Sequence, residues 1–428
     1  MDFFSEIASF FSFTEPNVRV VFWGSLILCS ISGLVGTFTL LRKRSLIGDV
    51  ISHAVLPGIA LAFILGQQKN PAYLIIGATV TGWISTFLVD YITKNSKIKS
   101  DTAIALILSV FFGAGILLLT HIQQSGNAAQ SGLDQFIFGR ASSMNMNDVY
   151  LFTAVGVVIV ALTIVFFRGL TVLSFDEEFS QAIGFPNPWL RLILSITTVI
   201  TVAMGVQAVG VVLMSALLIT PAASARFWTN SVPLLAILSV IISGASGVLG
   251  STISYTYAGM PTGPWIVVVV SLVAFTSAII GTRYGLGRKM LLRWSNNRKI
   301  LRENTIKLFY NSEQEQASYT LEELTKKSSI EAASLTKGLK MLVRLNFVTK
   351  QGREFVTTDE GAKEARAIVR KHRLWELYIS RFMNLQPDHV HDDAEGIEHV
   401  ITPEIEKELE KELEYPLKDP HDSEIPYE

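Results

Sequence analysis

The sequence predicts an all-α polytopic membrane protein of eight or nine transmembrane helices, followed by a cytosolic winged helix and a second helical domain. Three observations predict it. Hydrophobic residues make up 49% of the 428 and charged residues only 17%, with a mean hydropathy of +0.39. Charge is unevenly placed, with 11 of the 37 acidic residues in 1–302 and 26 in 303–428. Several runs of about 18–24 residues are almost free of charge, long enough to cross roughly 30 Å of hydrocarbon as helices.

The spans fall near 18–41, 49–66, 72–93, 102–121, 149–167, 188–206, 207–223, 231–253 and 263–282. The stretch 188–223 reads either as two short spans parted around Gln207 or as one long span with a re-entrant piece; nine spans is the preferred count. Arg42, Lys43 and Arg44 follow the first span, Lys94, Lys97 and Lys99 the third, Arg168 the fifth and Arg226 the seventh. Seven more Lys and Arg residues fill 283–302. Basic loops stay inside, so the N-terminus lies outside and the C-terminal region in the cytosol. The first Lys or Arg is Arg19, so the basic start of a cleaved signal peptide is missing. Met1–Pro16 reads as a short helix on the outer surface or as a loose terminus. The lone Cys29 excludes a disulfide framework and a cysteine metal cluster within one chain.

Beyond 302 the pattern is that of a soluble domain. Three short amphipathic helices are expected in 303–350, with Thr320 capping 321–327 and Ser329 capping the next. A two-stranded wing follows from Phe347 to Thr358 around Gln351-Gly352, then a long helix from Asp359 to Met383 and another over 391–413, interrupted near Thr402-Pro403. The domains are therefore an interfacial segment (1–17), a transmembrane domain (18–283), a basic linker (284–302), a winged helix-turn-helix (303–360) and a helical domain (361–428). The acidic tail from Glu404 to Glu414 reads as a solvated helix packed along Ile405, Leu409 and Leu413.

Asp49 and His53 stand four apart inside the second span and share a helix face. Ionisable groups within a span are costly and line a pathway or pair with each other. A carboxylate and an imidazole suit Mn(II), Zn(II) or Fe(II) alike, and Pro57 one turn on removes a backbone donor. Helix capping by Asp49 with a structural His53 is the competing reading. In the soluble part, Glu395, Glu398 and His399 lie at i, i+3 and i+4, a face suited to a nitrogen and oxygen metal site, with an acidic helix carrying a surface His as the competing reading. Ser334, Thr336, Lys337, Lys340 and Arg344 sit on the second helix of the helix-turn-helix. Between Lys326 and Arg373, 12 Lys and Arg face 5 acids, a balance suited to DNA phosphates, although winged helices also serve as protein–protein modules. No GxxxxGK[ST] P-loop occurs anywhere, so any ATP hydrolysis must come from another polypeptide.

The run Gly48-Asp49-Val50-Ile51-Ser52-His53-Ala54-Val55-Leu56-Pro57-Gly58 resembles the permeases of zinc/manganese/iron ABC importers, the ZnuB/MntB-like family. Two further runs, 207–223 (from Gln207-Ala208-Val209-Gly210 to Pro221-Ala222-Ala223) and 174–184 (Ser174-Phe175-Asp176-Glu177-Glu178-Phe179 to Gly184), extend the resemblance over most of 18–283. It implies that Asp49 and His53 line an ion route. It also implies that Phe175, Asp176, Glu177, Glu178, Phe179, Ala182 and Gly184 couple to a separate ATPase chain, and that an extracytoplasmic binding protein supplies the ion. From Asp359 on, Lys371–Glu376, His391–Val400 and Tyr415–His421 resemble metal-dependent repressors of the DtxR/MntR type. That resemblance implies a homodimer and a metal effector held by His372, Glu376, His391, Glu395, Glu398 and His399. Asn304 and Lys307 stand where manganese sensors carry acidic ligands, a departure from the family pattern. The expected function is thus a permease for a divalent transition metal with a C-terminal metal-responsive regulator domain; the alternative is a membrane-tethered or proteolytically released DNA-binding regulator.

Overall fold

The computed structural model describes residues 3–44, 46–67, 71–124, 144–257, 260–310, 318–328, 330–383, 399 and 401–427. The chain divides into two compact units, Met1–Arg288 and Lys289–Glu428.

The first unit is entirely helical among the described residues. A short α1 (Phe3–Ser12) precedes α2 (Pro16–Leu41), α3 (Ile47–Gly66), α4 (Pro71–Asn95), α5 (Ser100–Gln124) and α6 (Met146–Val165). Two short helices, α7 (Phe167–Phe175) and α8 (Glu177–Ala182), lead to α9 (Asn187–Val209), α10 (Val211–Arg226), α11 (Val232–Thr256) and α12 (Thr262–Ile280). Eight of these are long and apolar enough to cross a membrane. The expected ninth span is α10, which has 16 residues and, at about 1.5 Å per residue, spans roughly 24 Å.

The break between α9 and α10 falls at Gly210 rather than at Gln207. Gly210 has φ +93°, a conformation that side chains with a Cβ resist. Across this turn a Cβ on Gly205 would run into Met214, so α10 folds back along α9 instead of extending it. It ends beside α12, where the Phe227 carbonyl accepts the Arg283 amide at 3.0 Å.

The core of this unit is built around α2, which packs against α6, α9, α10 and α11. Lipid tails are as apolar as Leu, so such helices gain from close contact rather than from escaping water. A Cβ on Gly36 would strike the Leu218 carbonyl of α10. Gly36→Ala should therefore cost about 1–3 kcal/mol through overpacking. Gly113→Ala, with nothing within 4 Å of the new methyl, should be near neutral. Thermal unfolding of the two purified variants in detergent checks this. The α1 helix is docked, with Phe10 buried and its ring 5.5 Å from Tyr255 and 6.2 Å from Phe22.

Helix α13 (Leu286–Lys307), all but its first three residues in the second unit, runs without interruption through the stretch expected to be a linker. It is followed by β1 (Ser318–Thr320), α14 (Leu321–Lys327), α15 (Ala332–Arg344), β2 (Val348–Gln351), β3 (Glu354–Thr357), α16 (Asp359–Met383) and α17 (Pro403–Glu412). The three strands form one antiparallel sheet in the order β1-β3-β2. Thr320 caps α14 and forms a reciprocal capping box with Glu323. The cap of α15 is Glu331 rather than Ser329, which lies outside the described residues. Leu324, Leu335, Leu339, Leu342, Val348 and Ile306 close the winged-helix core. The acidic tail helix is less solvated than its composition suggests: Glu406 is buried against Arg370 at 2.7 Å, while Ile405 is exposed.

Candidate functional site

Asp49 lies in the first turn of α3 and His53 one turn later. Both are half-buried. The His53 ring stands edge-on to Phe112, 4.9 Å away at 84°, a residue halfway along α5. Its Nδ1 is buried without a hydrogen-bond partner among the described residues. A buried imidazole nitrogen left open is costly, and it is free to bind a cation. Pro57 cannot donate an amide hydrogen to the His53 carbonyl, which leaves an oxygen acceptor beside the ring. These groups supply two or three ligands, fewer than the four that zinc takes. Among the described residues no three His, Cys, Asp or Glu side chains gather around one point.

The acidic run after α7 is built as a rigid projection. Asp176 caps α8 by accepting the Phe179 amide at 2.9 Å. Ser180 donates to Asn187 at 2.6 Å, and the Asn187 amide donates to the Glu177 carbonyl at 2.8 Å. Arg191 of α9 pairs with Glu177 at 2.8 Å. Ser180, Asn187 and Arg191 strap α8 to the start of α9, and sequence reasoning missed all three. Phe175, Phe179 and Ile183, spaced by four, are 61%, 55% and 50% exposed. Asp176, Glu177, Glu178, Ala182 and Gly184 are exposed around them.

Beside this projection a cavity of about 60 Å³ is lined by Arg42, Arg44, Asp90, Arg191 and Thr86. Arg44 and Asp90 pair across it at 2.7 Å, which ties the residues just before α3 to α4. Burial, then the neighbouring Arg44 charge, push the Arg42 guanidinium down to about 10.

In the second unit, His372 Nε2 and Glu376 Oε1 of α16 lie 3.1 Å apart, and both side chains are buried. His399 Nδ1 lies 2.6 Å from Glu303 Oε2 of α13. Lys299 donates to the His399 carbonyl at 2.7 Å, and Arg302 reaches Glu303 at 3.2 Å. Burial works against the Glu303 charge. The hydrogen bond to His399 and the charges of Lys299, His399 and Arg302 outweigh it and hold the carboxyl below its ordinary value. The helix α13 thus brings a carboxylate, Glu303, to His399, one residue before Asn304. Sequence reasoning missed Glu303, whose partner His399 lies 96 residues away in the chain. His391, Glu395 and Glu398 lie outside the described residues.

On α15, Lys337, Lys340 and Arg344 share an exposed face, and Ser334 and Thr336 are half-buried beside it. With Lys350 and Arg353 of the wing, part of this face lines a groove of about 750 Å³.

The model of the ABC 3 transport family matches residues 15–281, well over half of the chain. The chain belongs to this family. Residues 358–427 match a second model, the iron dependent repressor, metal binding and dimerisation domain. The manganese transport system membrane protein MntC of Bacillus subtilis is 38% identical over 373 residues, 87% of this chain and 86% of its own length. The zinc transport system membrane protein TroC of Treponema pallidum is 42% identical over 274 residues, 64% of this chain and 92% of its own. Among solved structures, PsaBC from Streptococcus pneumoniae in complex with Fab shares the fold at a TM-score of 0.60. The identity is 33%, over 67% of this chain and 99% of that one. As an ABC 3 chain it pairs the family's membrane domain with a repressor-type C-terminal domain on one polypeptide.

Proposed function

We propose that this chain is the membrane permease subunit of an ATP-driven importer of a divalent transition metal, manganese, zinc or ferrous iron. The observation that carries the proposal is the half-buried Asp49–His53 pair on one face of an apolar span, with the His53 Nδ1 open to a ligand. The named cargoes of the relatives, manganese and zinc, agree with a carboxylate–imidazole pair. The metal is the substrate: it passes Asp49 and His53, with the remaining ligands drawn from a second copy of the chain or from water.

ATP hydrolysis falls to a separate ATPase chain, which binds the Phe175–Phe179–Ile183 face. An extracytoplasmic metal-binding protein delivers the ion. The permease resides in the bacterial inner membrane as a homodimer, with its second unit in the cytosol. There the Glu303–His399 and His372–Glu376 pairs belong to a metal-responsive regulator that reports metal supply to the permease. The basic α15 face favours a second reading, binding of DNA by this same unit. Salt-sensitive retention of duplex DNA by nanodisc-embedded protein would support it, and lack of retention would dismiss it.

The test of the main reading is metal uptake into proteoliposomes holding permease and ATPase, with ATP against a non-hydrolysable analogue. Uptake should require ATP. Phe179→Asp, which places a charge at the centre of the exposed apolar face, should abolish it together with ATPase co-purification, while the permease still folds. Uptake without hydrolysis would overturn the proposal.

A further inference from the structure

The cavity between the ends of α2, α3, α4 and α9 stands apart from the Asp49–His53 pair. Ile47 and Ile51, one turn apart on α3, line it. Asp49 and His53 are each two residues from Ile51, about 200° round the helix, and so belong to the other side of α3. The charged wall of the cavity is three guanidiniums, Arg42, Arg44 and Arg191, against one carboxylate, Asp90.

Two of the guanidiniums are answered. Arg44 Nη1 meets Asp90 Oδ1 at 2.7 Å, and Arg191 Nη1 meets Glu177 Oε1 at 2.8 Å. Arg42 is half-buried and has no carboxylate within ion-pair distance among the described residues. Burial and the neighbouring Arg44 charge act against its own charge, which the fold leaves uncompensated. Thr86 gives its proton to the Trp83 carbonyl at 2.8 Å. The hydroxyl of Ser195, 3.3 Å from Thr86, can therefore donate to Thr86 or to a ligand. The volume of about 60 Å³ is several times the ~10–15 Å³ that one water needs, which leaves room for a small oxyanion.

We propose that this cavity binds a phosphate-type oxyanion, supplied as free phosphate or as the headgroup of an anionic phospholipid. Arg42 provides the charge that has no partner. A guanidinium carries five N–H donors in a planar fork that matches phosphate, so Arg44 and Arg191 can hold the same anion without giving up their carboxylates. Phe38 and Leu194 close the apolar part of the wall, and charge-assisted hydrogen bonds gain strength where water is sparse. The same charges turn a divalent cation away. A bound anion ties α2, α3 and α4 to Arg191, which also holds α8 through Glu177.

The experiment measures binding of radiolabelled inorganic phosphate to the full chain in phosphatidylcholine nanodiscs, free of metal and at fixed ionic strength. The wild type should bind phosphate saturably. Arg42→Gln should weaken binding about tenfold or more, the loss of one charge-assisted contact. Ser195→Asp guards against misfolding of that variant: its carboxylate answers Arg42 from within the wall, so the thermal midpoint should rise while phosphate binding disappears. Discs with roughly one-third phosphatidylglycerol distinguish the two sources. A headgroup occupant lowers phosphate binding in these discs, and phosphatidylglycerol then co-purifies with the wild type but not with Arg42→Gln. Equal phosphate binding in both discs assigns the site to the free anion. Phosphate binding that survives both substitutions belongs to another basic surface and overturns the proposal. So does a wild type that retains neither phosphate nor phosphatidylglycerol.

Discussion

Asp49→Ala or His53→Ala should lower metal uptake by about two orders of magnitude or more while leaving the protein folded and inserted. Outer-shell partners of a metal site typically contribute roughly 10–100-fold, and a direct ligand should contribute at least that. Aliphatic truncation of His53 also removes the ring that packs on Phe112, so a loss could be structural. His53→Phe separates the two causes: it keeps an edge-on aromatic contact and removes the nitrogen. Uptake that stays low in His53→Phe, with unchanged thermal stability, assigns the nitrogen its role. Uptake restored by Phe would mean that the ring matters only for packing. Radiometal uptake normalised to inserted protein makes the measurement.

The second large effect belongs to the soluble unit. Glu303→Ala should destabilise it by about 3–5 kcal/mol, the usual cost of removing one partner from a buried charged pair. The carboxylate meets His399 at 2.6 Å and receives Arg302 at 3.2 Å, so its loss removes an acceptor that both partners use. The pH dependence follows from the lowered folded-state value of Glu303. A carboxyl depressed on folding adds stability above its unfolded value of 4.5, and that stability is lost as pH falls through the folded value. Hydrogen exchange in α13 and α16 of the full chain should rise under mild acid in the wild type. In Glu303→Ala exchange should be high already at neutral pH, with a flatter acid response. A variant as well protected as the wild type at neutral pH would refute this account of the pair.

Much of the fold was legible because membrane spans declare themselves by length and apolarity. Each expected span overlaps an observed helix, with ends displaced by up to four residues. The break near 207–210 was visible only roughly, since its place depends on the backbone of Gly210 and on Gly205 meeting Met214. The three-residue strand β1 went unread. It exists by pairing Ser318–Thr320 with Glu354–Val356, a partner too distant in sequence to leave a local pattern. The same holds for the sites. The four-residue spacing of Asp49 and His53 and of His372 and Glu376 was plain, because it lies within one helix. Their surroundings were not: Phe112 reaches His53 from another helix, and Glu303 reaches His399 from 96 residues away. Buried polar straps such as Ser180–Asn187 read in sequence as ordinary loop residues.

The central claim is ATP-driven import of a transition metal through this chain. Its most direct test is elemental analysis of bacterial cells stripped of their own metal importers. They would express the chain with its binding protein and either an active or a hydrolysis-deficient ATPase. The account predicts that one transition metal rises severalfold over the vector control with the active ATPase alone. No rise in any metal despite correct insertion, or an equal rise with the inactive ATPase, would contradict it.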